Sequence, residues 1–84
     1  KMDKHMEPFQ VQFEVKKQED LLFFTHKGEE FVFVLEGQLE FNYEKETFLL
    51  ESGDSLYFDS SLPHAFRALG RKHALAIDVI YASD

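Results

Sequence analysis

The sequence predicts an all-β domain, an antiparallel sandwich or barrel of about eight short strands. Three observations carry this expectation. Apolar residues recur with a period of two along most of the chain. Turn-forming residues punctuate it at regular intervals, and no stretch shows a helical apolar period capped at both ends.

The elements follow in order. Phe9, Val11, Phe13 and Val15 alternate with Gln10, Gln12 and Glu14, the pattern of a strand with one wet face. The charge run Lys16-Lys17-Gln18-Glu19-Asp20 reads as a solvated loop, and Leu21 to Phe24 as a short apolar strand. Glu30 to Glu36 is apolar on both faces, Phe31, Phe33 and Leu35 on one and Val32 and Val34 on the other, so both faces are expected to be covered. Leu39, Phe41 and Tyr43 form the first arm of a hairpin whose second arm, Phe48 to Glu51, follows a charged turn. Ser52-Gly53-Asp54 turns the chain into a strand at Ser55 to Phe58. His64 to Leu69 starts after Pro63 and breaks at Gly70-Arg71-Lys72. Leu75, Ile77, Val79 and Tyr81 close the chain on one face, with Ala74, Ala76 and Ile80 on the other.

Eighty-four residues make one domain, 1–84, with 1–6 read as a linker; the charged opening Lys1-Met2-Asp3-Lys4-His5-Met6 reads as a cut from a longer protein. A chain this short buries only roughly 60–65% of its unfolded surface. Ten Phe and three Tyr supply the apolar area, and so many aromatic rings in a small core make a partner subunit an expectation. With no cysteine, no disulfide and no thiolate chemistry are available, which fits a reducing cytosol. The net charge of −7 argues against this segment itself holding nucleic acid, since phosphate backbones attract basic surfaces. Neither a secretory signal nor a membrane-length apolar run is present, so the expected location is cytoplasmic.

Two blocks stand out. His26 is followed after three residues by Glu30 and after six more by Gly37, while Gly53 is followed after ten by His64, directly behind Pro63. These blocks resemble the two conserved motifs of the cupin superfamily, over nearly the whole chain. The resemblance implies a double-stranded β-helix, the jelly-roll barrel, in which four polar side chains converge on a divalent metal. His26 matches the second histidine of the first motif, Glu30 its glutamate, Gly37 its turn glycine, and Gly53 and His64 their counterparts in the second. The first histidine falls on Phe24, the usual proline on Asp59 and a usual glycine on Ser61. One ligand of four is therefore replaced.

The remaining His26, Glu30 and His64 form a two-nitrogen, one-oxygen set that suits Fe(II) and also Mn, Ni or Zn. A phosphonate epoxidase among the cupins is similar in using two histidines and one glutamate, so three ligands suffice. The competing reading is that a buried His and Glu only satisfy each other's polar groups, or touch an organic ligand directly. Phe24, Tyr43 and Tyr57 join the three as expected ligand contacts, Phe24 as an apolar wall and the tyrosines through inward hydroxyls. His5 and His73, among Lys and Arg, read as surface residues. No phosphate loop, zinc-finger spacing or nucleophile elbow occurs.

"GEEFVFVLEGQLEF" and "DSLYFDSSLPH" look like the C-terminal cupin domain of bacterial helix-turn-helix (XRE-type) transcriptional regulators. That resemblance implies an effector-sensing domain: a small molecule in the barrel, a homodimer with the 31–35 strand as its buried surface, and DNA contacted only through an upstream domain. The alternative is a stand-alone metal-dependent cupin enzyme of isomerase or oxygenase type, and a third reading is a dimerisation scaffold.

Overall fold

The computed structural model describes residues 5–82. Seven strands run through them: β1 (Met6–Phe13), β2 (Gly28–Glu36), β3 (Gln38–Tyr43), β4 (Glu46–Glu51), β5 (Ser55–Asp59), β6 (His64–Leu69) and β7 (Ala74–Ala82). They build two sheets, ordered β1-β7-β2-β5 and β4-β3-β6, with every strand pairing antiparallel. This is the jelly roll. Lys1 to Lys4 of the expected linker lie outside the described residues, while Met6 already belongs to β1 and pairs with Tyr81. No helix among the described residues is long and apolar enough to cross a membrane.

Alternation decides which side chains meet between the sheets. Val32 and Val34 of β2, Ala74 and Ala76 of β7 and Phe58 of β5 come from one sheet. Leu39 and Phe41 of β3, Leu50 of β4 and Ala68 of β6 come from the other. Phe41 is the hub: its ring lies 4.6 Å from Phe58, 4.9 Å from Phe66 and 5.3 Å from Tyr43, centroid to centroid. Small alanines on β6 and β7 leave room for these rings, so a short chain reaches dense packing with aromatic bulk.

One expectation changes here, and another is met only in part within the single chain. The strand expected at Leu21 to Phe24 does not form. After Phe13 the chain leaves β7 and runs along the free edge of β6, touching it at two isolated bridges, Val15 with Ala68 and Phe24 with His64. Between them lies only a short 3₁₀ turn, Gln18–Asp20. Leu22, Phe23 and Phe24 are all exposed, so no alternation exists there to fix a register. Arg67 of β6 ties the segment down instead, donating to the Lys16 carbonyl (3.1 Å) while its fork grips Glu40 at 2.7 and 3.0 Å.

The expectation met in part concerns β2. Val32 and Val34 are fully buried, but Phe31 and Phe33 stay more than a third exposed on the outer face. Nothing in the described chain crosses over them; their cover is lateral, from Val79 and Ile77 on β7 and Tyr57 on β5.

Candidate metal centre

Three elements bring the polar residues together. His26 sits in the turn before β2, its amide donating to the Ser60 carbonyl (2.9 Å) while Ser60 N–H donates to Gly28 (3.0 Å). Gly28 is obligatory there: its φ is +132°, and a Cβ would stand 2.0 Å from the Tyr81 carbonyl oxygen. Glu30 follows on β2, on the same face as Val32 and Val34, hence inside. His64 opens β6 and exchanges two backbone hydrogen bonds with Phe24, at 2.9 and 3.1 Å.

The three side chains converge. His26 Nε2 lies 3.1 Å from Glu30 Oε1, and His64 Nε2 lies 3.7 Å from the same oxygen. One ligand atom from each residue falls within 4.8 Å of the others. The rings meet edge to face, 5.4 Å between centroids. His64 Nδ1 is 2.9 Å from the Leu62 carbonyl. A carbonyl only accepts, so Nδ1 carries the hydrogen and Nε2 turns its lone pair inward, the arrangement a ligating histidine requires.

Burial sets the charges. It depresses the His64 pKa, favouring the neutral imidazole that binds metal. It also raises Glu30, against the pull of a hydrogen bond with Asp78. Asp78, on β7, is pushed up to about 8 by burial and then by Glu30 itself. Glu30 and Asp78 are only 5% and 7% exposed. Asp78 Oδ1 is buried with no hydrogen-bond donor. A two-imidazole, one-carboxylate set backed by a second unsatisfied carboxyl is the donor chemistry of a divalent transition metal, so the residues fit such an ion.

A cavity of about 500 Å³ opens above the three, walled by Phe13, Leu22, Phe24 and Phe66 with Lys16 among its lining. Phe24 is 61% exposed at this mouth, where the cupin motif puts its first histidine. Tyr43 and Tyr57 stand elsewhere. Tyr43 donates its hydroxyl to the Asp59 carbonyl (2.9 Å) and stacks on Phe41. Tyr57 is 68% exposed, its hydroxyl bonded to Glu29 on the outer face. Leu56 and Phe58 are the inward residues of β5, so alternation turns Tyr57 out. Both tyrosines line a separate cavity between β4 and β5. Asp78 is the residue the sequence reading passes over. The signal was parity: in "ALAIDVIY" it shares the inward face of Ala74 and Ala76.

The chain belongs to the cupin superfamily: the Cupin_2 domain model matches residues 11–80. Its fold is similar to that of FeII HppE in complex with substrate, with a TM-score of 0.83 and 32% identity over 92% of this chain and 46% of that one. The hydroxypropylphosphonic acid epoxidase from S. wedmorenis gives 0.83 and 31% over 92% of this chain and 44% of that one. CoII HppE in complex with Tris buffer gives 0.83 and 32%, over 92% and 46%. This chain thus spans less than half the length of these structures. No curated protein matches the sequence.

Proposed function

We propose that this domain is the metal-binding half of a non-haem Fe(II) enzyme that oxidises a small anionic organic substrate. The observation that carries the reading is the convergence of His26, Glu30 and His64 on one point beneath an open cavity. Two histidines and a carboxylate that leave coordination positions free are the ligand set of non-haem iron oxygenases. The similarity to structures holding FeII and CoII supports the same ion class here. Fe(II), when bound, supplies one-electron and dioxygen chemistry.

The chain's own residues do the rest. His26, Glu30 and His64 hold the ion, with the Leu62 carbonyl fixing the tautomer of His64. Phe58, 4.9 Å from the His64 ring, packs against it from the core, and Phe66 walls the cavity. Lys16 offers an ammonium to an anionic group, and the Phe13–Leu22–Phe24 wall accepts a carbon skeleton. A phosphonate satisfies both demands, and the similarity to a hydroxypropylphosphonic acid epoxidase supports that class.

The test is the metal content of untagged protein purified without chelator, measured by elemental mass spectrometry. Near one iron per chain, lost in His64→Ala, is the expected result. Substoichiometric metal that ignores the substitution overturns the reading.

The effector-sensing reading, with a helix-turn-helix upstream, comes second. The apolar wall of the cavity favours it, since an organic effector could lodge there without an ion. A ligand bound equally by the parent and by His64→Ala would move it to first place. In either case a homodimer through the outer face of β2, around Phe31 and Phe33, is proposed; sedimentation of the parent against Phe33→Glu tests it.

A further inference from the structure

We infer that Asp78 is a positioning residue of the metal centre: from β7 it holds the Glu30 carboxylate against the two imidazoles and adds a second negative charge beside a bound divalent cation. The inference rests on the metal-centre reading and deepens it. Asp78 pairs with Val32 on β2 and with Phe9 on β1, so it stands in a central position of its sheet. Glu30 pairs with Ile80, which makes Glu30 and Asp78 diagonal neighbours on the inward face. Their carboxyl groups are hydrogen-bonded to each other, and both are buried on that face.

A structural purpose does not account for this. The residues that share its inward face, Ala74 and Ala76, are small and apolar, and a hydrophobic residue would fill position 78 at lower cost than a carboxyl. Among the described residues no Lys or Arg is paired with it. Without an ion Asp78 keeps its proton and donates to Glu30, yet its Oδ1 is buried with no hydrogen-bond partner. Two buried carboxyls this close ionise together only where something positive answers them. Neutral imidazoles contribute none, so two carboxylates balance one doubly charged ion.

Co(II) titration of the protein, followed by its visible absorption, tests this with Asp78→Asn and Asp78→Leu. Losing the charge in Asp78→Asn is expected to weaken Co(II) about ten-fold, and losing the hydrogen bond as well in Asp78→Leu about 100-fold. The metal-free melting midpoints of both are expected to equal or exceed the parent's, because a buried carboxyl with an unpartnered oxygen is removed. Affinity within about two-fold of the parent in both variants overturns the inference. So does a lower metal-free midpoint with unchanged affinity, the mark of a merely structural residue. Should Asp78→Leu fail to fold, Asp78→Asn decides alone. A parent that binds no Co(II), or binds it equally after His64→Ala, removes the metal centre and this inference with it. A parent that binds through His64 while the Asp78 variants match it removes only the role of Asp78.

Discussion

Two cavities of nearly equal size flank the aromatic core, and they differ in everything except volume. The one above His26, Glu30 and His64 measures about 500 Å³; the one between β4 and β5 measures about 510 Å³. The second is walled by Phe41, Phe48, Leu50 and Phe58 with Glu46 and Asp54 among its lining, and it contains no imidazole. It lies between the two sheets, whose strands β4 and β5 follow each other in sequence without pairing. Such a cleft follows from jelly-roll connectivity alone. The first exists because two strands and a turn each deliver one donor atom to the same point. Space is cheap in a two-sheet fold; convergent donors are not, and they locate the site.

That contrast can be attacked directly. The largest effect is expected from His64→Ala, which removes a ligand and should weaken Co(II) more than about 100-fold, since losing even a supporting group costs 10–100-fold. Calorimetric titration checks this; retention of affinity would make the two cavities equivalent. Gly28→Ala should come next. A Cβ that cannot fit against the Tyr81 carbonyl, at a φ of +132°, is expected to destabilise the domain by on the order of 3 kcal/mol or more in urea denaturation.

A smaller effect concerns pH in metal-free protein. The folded chain holds Asp78 protonated up to about 8, whereas unfolded it releases that proton near the ordinary 3.8. Stability therefore falls as pH rises between these values. His64, depressed below 6.5, works in the opposite sense, and its contribution is complete above 6.5. From pH 6.5 to about 8 only the loss remains, so the urea midpoint should decline across that window and flatten in Asp78→Asn. A flat parent profile would contradict it. The smallest effect belongs to the other cavity. Leu49→Ala, at a half-exposed position, should cost less than about 1 kcal/mol and leave metal content unchanged.

The barrel was legible because jelly-roll strands carry their inside and outside as alternation. Phe41, Phe58, Val32 and Val34 are inward as their parity requires. His26, Glu30 and His64 were legible through their match to the cupin motifs, in which the interval from His26 to Glu30 spans a turn and the first inward side chain of β2. Leu21 to Phe24 misled because apolar character without alternation does not specify a strand. Phe31 and Phe33 imply a cover that one chain supplies only laterally, and the proposed homodimer would complete it. Tyr57 was misplaced by residue type, although its parity with Leu56 and Phe58 already turned it outward. Asp78 lies far from Glu30 in sequence and meets it only through the β2–β7 register, which pairs residues that no local pattern links.

The three donor side chains are not mounted alike. Glu30 and His64 ride on paired strands, while His26 sits on a turn pinned to Ser60 by one backbone hydrogen bond on each side of Lys27. Two arms are thus anchored and one is hinged. An ion held there would leave by movement of a single short turn, without either sheet opening. On the proposed reading, how fast the site would exchange an ion is set by the grip of Ser60 on residues 26–28, and how tightly it would bind one by the strands. A substitution that loosens this turn would speed turnover of the bound ion while leaving the barrel's melting behaviour almost untouched.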